Sequence, residues 1–467
     1  MVASSRGRIE VMEQIVNVDM DVLDRGVGSR NLWNVKDALL RHVNCADELP
    51  DVLARRYWAK AALKRLERAR AVGLWLQLKD RAGDVPLERL CAAYDMFVDG
   101  LEDADCHDVT TAIDDLAARF KADNPTYDEW TPRELARTIA QYLRSQGFKG
   151  TEETFYHNLP NNFIARCLRN SDHPALPIVC VTIYCALAQR LGLDASPCGF
   201  PMHVYAVVTA PAGRTLDNRS TEFSPELKNQ RMYIDAFRPE IEAPVSHLRT
   251  QLQSMGLDPS SNLAQNYLGP ATNAEIILRS SRNIMHSVRV AQNRPTNAAG
   301  IRTGTEGWPD IDESLYAALW VLILLHQFSD ADDFEQRRNL RKYLPFVVET
   351  MQRYFPWDVS LFEDFVLPVL VGTVEYRGMA EILTVVRRAD AMRKPKVIRG
   401  ENTEMLDGNG EKRVRFSIGT VFRHKRFNYM GVIIGWDVSC EASEEWKTTM
   451  NIKGLERGEN QSFYHIL

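Results

Sequence analysis

Eight cysteines carry the most reactive side chains of this 467-residue chain. No two have the C-x-x-C spacing of a zinc ribbon or a redox dithiol, so we expect reduced thiols. Cys180 and Cys185 lie in an unbroken apolar run, where burial makes a thiol an inert core residue. Cys198 lies five residues before His203 in a predicted loop, and it is the better candidate for a reactive thiol.

A second chemistry is indicated near the C-terminus. The basic run Arg423, His424, Lys425 and Arg426 lies among aromatic residues that include Tyr429 and Trp436. Cationic side chains beside stacking rings can hold a phosphate backbone and a base face. However, residues 411–467 carry nine Lys and Arg against seven Asp and Glu, fewer cations than a dedicated DNA-binding domain needs. Two interpretations stay open, a weak DNA-binding site and an ordinary solvated loop on a protein-binding surface, and the charge balance favours the loop.

The composition excludes several classes of protein. Hydrophobic residues make up 45% and charged residues 25%, which excludes wholesale disorder, a collagen-like repeat and a small disulfide scaffold. A net charge of −5 argues against a general polyanion binder. The longest apolar run, Leu315–Leu325, is about half of the ~20 residues that a membrane span requires, and it predicts a buried helix. The first fourteen residues show no secretory signal, so we expect a soluble intracellular protein, cytoplasmic or nuclear, with no membrane partner.

The elements that position these residues follow from hydrophobic periodicity. Residues 1–150 are predicted to be helical, with Thr131 as the N-cap of one helix. The run 177–191 is apolar on nearly every face and ends at Gly192, which predicts a buried helix with a glycine stop. Two β-rich runs follow, at 204–208 and 232–237, so we expect an α+β core.

The chain is therefore predicted to be an α+β multidomain protein. Its predicted segments are a helical region (1–150), an α+β core (151–300), a second helical, repeat-like region (301–392), a polar linker (393–412) and a small β-barrel (413–467).

The block from Phe163 to Asp235 resembles the transglutaminase-like domain of the bacterial SirB type. The matching pieces are Pro177-Ile178, the helix end Ala188-Gln189-Arg190-Leu191-Gly192-Leu193, Gly199-Phe200-Pro201-Met202-His203, and Tyr233-Ile234-Asp235. Family members usually read G-I-P-I-S at the helix start. Here the segment reads Ala175-Leu176-Pro177-Ile178-Val179, so the glycine is missing.

This resemblance implies where a catalytic site would lie. Such a site needs a thiolate in the first turn of a helix, where the helix dipole lowers its pKa, with a histidine and a carboxylate. In enzymes of this class the cysteine lies fifteen positions before the glycine that ends the helix, and Pro177 occupies that position here. His203 and Asp235 occupy the other two positions. They form either a structural hydrogen bond in a non-catalytic core or a working catalytic dyad. We therefore expect a pseudoenzyme with no catalytic residue, cofactor or metal, and we keep His203, Asp235, Cys198 and Cys180 as weak candidates.

The terminal barrel resembles the hemimethylated-DNA-binding YccV (HspQ) family. The matching residues are Ser417-Ile418-Gly419, the run 422–427, Tyr429, the run 431–437 and Phe463-Tyr464. That family normally adds at least one more strand, so we expect an incomplete barrel. The order of the two domains resembles a eukaryotic F-box family, in which the F-box binds the Skp-type adaptor of a cullin ubiquitin ligase. No F-box is found in this sequence, and Glu48–Leu53 has only a faint likeness to one.

The sequence thus predicts a non-catalytic interaction protein that recognises a protein substrate for an SCF-type ubiquitin ligase. The alternatives are a DNA-binding protein that acts through the YccV-like domain and a thiol-dependent enzyme of the transglutaminase or protease kind.

Overall fold

The computed structural model describes residues 36, 39–44, 52–78, 85–99, 106–221, 229–238, 242–297, 302–325, 333–355, 358–392, 416, 419–425, 428–437, 439–440 and 442–467. The chain divides into two compact units, residues 67–383 and residues 1–66 with 384–467. The predicted helical pattern of residues 11–23 and the predicted linker 393–412 lie outside the described residues.

Helices make up most of the described chain. Their bounds are α1 Val52–Leu76, α2 Leu87–Asp99, α3 Cys106–Asp123, α4 Pro132–Ser145, α5 Ile164–Arg169, α6 Pro177–Arg190, α7 Val245–Ser254, α8 Asn262–Tyr267, α9 Asn273–Gln292, α10 Ile311–Leu324, α11 Asp333–Tyr354, α12 Glu375–Met392 and α13 Glu444–Thr449. Short turns of 3-10 or π-helix occur at Tyr127–Glu129, Glu153–Phe155, Leu159–Asn162, Phe362–Val366, Pro368–Leu370 and Ile452–Gly454.

Helix α4 shows how local sequence sets these bounds. The Thr131 side chain accepts a hydrogen bond from the backbone N–H of Glu134, whose carboxylate accepts from the backbone N–H of Thr131. Pro132 occupies the first helical position, where its missing N–H costs nothing. The prediction of Thr131 as an N-cap is confirmed.

Helix α6 is the centre of the larger unit. All of its residues from Pro177 to Ala188 are buried, as expected for a helix that is apolar on every face. It packs against α2, α3, α4 and the first strand of a sheet. The predicted glycine stop is confirmed, because Gly192 has a φ of +89° and the N–H of Leu193 donates to the carbonyl of Ala188 at 3.0 Å.

The sheet beside α6 has four antiparallel strands in chain order. They are β1 Asp194–Pro197, β2 Ala206–Thr209, β3 Arg231–Ile234 and β4 Glu242–Ala243. Val207 lies opposite Tyr233 in the register of the two central strands. Both predicted β-rich runs therefore contain strands, and the expected α+β core is confirmed. The sequence does not predict β1, since that segment has few residues typical of strands and depends on pairing with β2.

The second predicted helical region contains α10, α11 and α12, and it contributes to a buried charged cluster. The apolar run at residues 315–325 lies within and just after α10 and is buried from Tyr316 onward, as predicted. Arg68 of α1 lies 3.1 Å from a carboxylate oxygen of Asp358 and 3.5 Å from one of Glu313, and all three are buried. The Arg68 guanidinium also lies 4.2 Å from the centre of the Phe355 ring. No described helix is long and apolar enough to cross a membrane.

The C-terminal residues form a three-stranded antiparallel sheet of β5 Val421–Arg423, β6 Met430–Asp437 and β7 Phe463–Ile466. The sequence predicts a small β-barrel in this segment, and it does not predict α13, which lies between β6 and β7. Ser443 caps α13 by accepting from the backbone N–H of Trp446, and Lys447 contacts Glu444 one turn earlier.

Candidate functional site

The centre of the larger unit contains a buried histidine–aspartate pair. His203 Nε2 lies 3.0 Å from Asp235 Oδ2, and both side chains are nearly excluded from solvent. Asp235 directly follows β3, and its other oxygen accepts hydrogen bonds from the backbone N–H groups of Phe237 and Arg238. Both carboxylate oxygens are thus occupied, which fixes the carboxylate and, through it, the imidazole ring.

The electrostatics of Asp235 favour its charged form. Burial acts to raise the pKa of this carboxyl group. The hydrogen bond and charge of His203, together with the two backbone N–H groups, act in the opposite direction and outweigh it. The pKa of Asp235 therefore lies below its ordinary value.

His203 is carried by a strained loop between β1 and β2. Met202 has a φ of +64°, a left-handed conformation that is unusual for a residue with a side chain. The N–H of His203 donates to the carbonyl of Pro201 at 2.8 Å, two residues earlier, which closes a tight turn. The Met202 side chain is 84% exposed. The turn thus presents Met202 to solvent and directs the chain so that His203 is buried beside Asp235.

Cys180 lies one turn inside α6, beside a small apolar cavity. The cavity measures about 10 Å³ and is lined by Ala140, Leu143, Phe148, Cys180, Ile183 and Ala236. Burial, with the negative charge of Asp235, raises the pKa of the Cys180 thiol to about 12. Cys185 is buried on the same helix, and burial raises its pKa as well. Both thiols occupy the core, as the sequence predicts.

Cys198 does not have the environment of a reactive thiol. It pairs with Pro270 in an isolated β-bridge, is fully buried, and its Sγ donates to the carbonyl of Tyr267 at 3.1 Å. Burial raises its pKa to about 11. The expectation that Cys198 is the better candidate is wrong, because the loop that carries it packs into an apolar core with Phe200 and Tyr205.

Four polar residues that the sequence does not single out surround the pair. Tyr205 places its ring centre 4.6 Å from that of His203, and the Arg238 guanidinium lies within electrostatic range of its hydroxyl. Arg279 of α9 donates from Nη1 to the carbonyl of Phe200 at 2.7 Å. Tyr156 lies within electrostatic range of both arginines. Tyr156 and Arg279 are far from the pair in sequence, whereas Tyr205 and Arg238 lie close to it but belong to no spacing motif.

The C-terminal sheet places its candidate residues on the hairpin between β5 and β6. Arg423, Lys425 and Tyr429 are exposed there, and the ring of His424 stacks on Tyr429 at 4.9 Å. Arg426 lies outside the described residues. Trp436 is only 8% exposed, so the expectation that it offers a face to a base is wrong. It is buried, as is Ile433 three positions earlier, because an irregularity in the strand pairing between Ile433 and Gly435 shifts the alternation of faces along β6.

Comparison with known proteins identifies the region around the pair. Residues 107–282 match the family model of the transglutaminase-like superfamily. They form a transglutaminase-like domain. Residues 414–467 match the family described as hemimethylated DNA-binding protein YccV like, so the chain ends in a YccV-like domain.

The curated relatives share only a short segment with this chain. F-box only protein 21 of Mus musculus is 38% identical over 68 residues, and the proteins of the same name in Homo sapiens and Pongo abelii are 37% identical over 68 residues. These matches cover 15% of this chain and 11% of the length of each relative. No solved structure matches the chain.

Within the described residues, the transglutaminase-like domain brings together the histidine and the carboxylate that a thiol site needs. The first helical residue of α6 is Pro177, whose ring has no nucleophilic atom. No cysteine sulfur of the described residues lies within hydrogen-bonding distance of the His203 ring. Because Nε2 faces Asp235, Nδ1 is the ring nitrogen left for a ligand or a proton. The described residues hold no group of three His, Cys, Asp or Glu side chains that would suit a metal ion.

Proposed function

We propose that this chain is a non-catalytic interaction protein whose transglutaminase-like domain recognises a protein substrate. The observation that carries the proposal is Pro177 at the start of α6, the position at which a helix dipole would activate a thiol. Cys180 does not replace it, because its sulfur is buried one turn deeper and its pKa is raised to about 12. A retained His203–Asp235 pair then orders the loop and β3 without activating a thiol.

We further propose that the substrate is presented to an SCF-type ubiquitin ligase. The similarity to F-box only protein 21 over 68 residues supports this, as does the combination of a transglutaminase-like and a YccV-like domain. In this proposal the two domains are the recognition surfaces, and a Skp-type adaptor and a cullin are the partners.

Affinity purification tests the ligase proposal. The protein would be tagged at its own locus and purified from its own cells, and co-purifying proteins would be identified by mass spectrometry. We expect a Skp-type adaptor and a cullin in the eluate. Their absence from an eluate that contains other specific partners would overturn the ligase proposal.

An acyl-transfer assay tests the non-catalytic proposal separately. The purified chain would be incubated with a glutamine-containing protein and a fluorescent amine, beside a Cys180→Ala/Cys198→Ala variant. We expect no amine incorporation above background for either protein. Incorporation by the native chain that the double variant loses would show a working thiol and overturn the proposal.

A second candidate function, DNA binding, is favoured by the match of residues 414–467 and by the exposed hairpin of the YccV-like domain. Arg423 and Lys425 could contact phosphates, and Tyr429 could stack on a base with the ring face not covered by His424. Fluorescence anisotropy of the full chain with hemimethylated and unmethylated duplexes tests this.

For DNA binding we expect salt-sensitive affinity that Arg423→Gln/Lys425→Gln weakens, with a salt slope smaller by about two. Lys453→Gln is the matched control, because Lys453 is exposed in the same domain but lies outside the hairpin. Weak, salt-insensitive signals for both duplexes would exclude this function.

A further inference from the structure

Two histidine side chains lie against each other at the surface of the larger unit. The ring centres of His157 and His286 are 4.3 Å apart, and the two ring planes are inclined at 61°. Both residues are exposed. His157 lies between the 3-10 turns Glu153–Phe155 and Leu159–Asn162, whereas His286 lies on α9, so the fold alone brings the two imidazoles together.

Hydrogen bonds between side chains anchor the residue that follows each histidine. Asn158 accepts at Oδ1 from Nη2 of Arg294, at 2.8 Å. Ser287 accepts at Oγ from Nδ2 of Asn162, at 3.0 Å, and these two residues are buried. The turn that carries one imidazole is therefore fastened to the helix that carries the other. A ligand that needs both rings meets them already close together, which lowers the entropic cost of binding.

The charges beside the pair restrict which ligand it suits. Arg282 and Arg289 are exposed and lie four residues before and three residues after His286, on the same face of α9. Their positive charges act against any cation that is held by charge alone. Mg²⁺ and Ca²⁺ bind in that way, through oxygen ligands, whereas zinc, copper and nickel ions form strong bonds to imidazole nitrogen. The pair therefore suits a transition-metal ion.

We propose that the His157–His286 pair binds a Zn²⁺ ion through one nitrogen of each ring. Two imidazoles on one tetrahedral Zn²⁺, with bonds of about 2.0–2.1 Å, have ring centres about 5 Å apart. The observed separation is 4.3 Å, so a small rotation of two exposed side chains produces the chelating geometry.

The site supplies fewer protein ligands than a structural zinc site. The described residues hold no group of three His, Cys, Asp or Glu side chains that would suit a metal ion. Water then fills the remaining positions around Zn²⁺, and a donor atom of another molecule can replace that water. This site is separate from the buried His203–Asp235 pair, and the proposal does not depend on the proposed function.

Calorimetric titration of the untagged full chain tests the proposal, with zinc chloride and magnesium chloride as the two probes. We expect saturable binding of Zn²⁺ and no binding of Mg²⁺ under the same conditions. His157→Gln and His286→Gln should each weaken Zn²⁺ binding at least about tenfold, because a single imidazole loses the high effective concentration of the second. Both substitutions are at exposed residues, and the fold should tolerate them.

His247→Gln is the matched control. His247 is an exposed histidine on α7, and its Nε2 lies 3.0 Å from Nε2 of Gln251, so the variant removes an imidazole outside the pair. Its Zn²⁺ affinity should equal that of the native chain. The double variant Arg282→Gln/Arg289→Gln should bind Zn²⁺ several-fold more tightly at low ionic strength, because two repelling charges are removed.

Three results would overturn the proposal. They are the absence of saturable Zn²⁺ binding, an equal loss of affinity in His247→Gln and His286→Gln, and an unchanged affinity in a folded His157→Gln protein. Weaker Zn²⁺ binding by Arg282→Gln/Arg289→Gln would also contradict a metal ion held beside these arginines. Because the titration contains no adaptor, cullin or DNA, its result is independent of the experiments on the proposed function.

Discussion

Two histidine–aspartate pairs among the described residues have nearly the same distance and different surroundings. His203 and Asp235 approach to 3.0 Å in the transglutaminase-like domain, where their side chains are 10% and 5% exposed. His465 and Asp437 approach to 2.8 Å in the YccV-like domain, where the histidine side chain is 46% exposed. The distance alone therefore says little about the role of such a pair. Burial and the anchoring of Asp235 by two backbone N–H groups make the first pair part of the core, whereas water competes for the second.

The thiols give the largest expected effect. At pH 8, a thiol with a pKa of about 12 has a thiolate fraction that is more than about a thousandfold below that of a free cysteine. We expect Cys180 and Cys198 to resist iodoacetamide in the native protein and to react after denaturation in urea. Peptide mapping by mass spectrometry measures each site separately. Rapid labelling of Cys180 in the native protein would mean that the core around it opens to solvent. The His203–Asp235 pair would then not lie in a closed core.

Removing each histidine tests the comparison directly. His203→Gln should lower the free energy of unfolding by about 2–3 kcal/mol, because it leaves a buried charged oxygen of Asp235 poorly paired. His465→Gln should cost less, about 1 kcal/mol, because the His465 side chain is 46% exposed and water can replace it at the Asp437 carboxylate. Urea unfolding read by hydrogen exchange reports the two regions on separate peptides. Equal costs for the two variants would refute the distinction.

The pH dependence of stability sharpens the difference between the pairs. A carboxyl group whose pKa is lowered on folding stabilises the protein above its unfolded pKa of about 3.9, and that stabilisation is lost as pH falls through the folded value. The stability advantage of the native chain over Asp235→Asn should therefore be constant near neutral pH and shrink below about pH 4. Urea midpoints between pH 3 and 7 measure it. An advantage that grows on acidification would contradict a lowered pKa of Asp235.

Trp436 gives the smallest expected effect. Because the ring is buried in the YccV-like domain, Trp436→Phe should leave any DNA affinity within about twofold of that of the native chain. The double variant Arg423→Gln/Lys425→Gln, on the exposed hairpin, should by contrast lose DNA affinity. Anisotropy titration measures the DNA affinity of both variants. A large loss of affinity in a folded Trp436→Phe protein would show that Trp436 belongs to the binding surface.

What the sequence can predict depends on how local the determining forces are. Helix α6 and its end at Gly192 follow from an apolar run and one glycine, so the sequence predicts them closely. The capping of α4 by Thr131 is equally local. β1 has little strand character in Asp194–Pro197 and exists because β2 pairs with it, so no local pattern reveals it.

The site shows the same limit more strongly. A family resemblance points to His203 and Asp235, and the structure brings them together. The burial of Cys198 depends on packing by residues up to Leu268, and that of Trp436 on an irregularity in strand pairing between Ile433 and Gly435. Arg279 and Phe200 are 79 residues apart in sequence and contact each other only in the folded domain. Tertiary contacts of this kind leave no periodic signal in one sequence.

The tight turn at Met202 affects the conformational entropy that a partner binding at this loop would cost. Its φ of +64° is held by the hydrogen bond between His203 and Pro201, while Arg279 holds the same loop through Phe200. The loop therefore loses its conformational freedom during folding, before any ligand arrives. A partner that contacts Met202 meets a preorganised surface, so its binding carries little further entropic cost on this side. Met202→Gly would relax the turn. The loop would then lose its conformational entropy when the partner binds instead of when the protein folds.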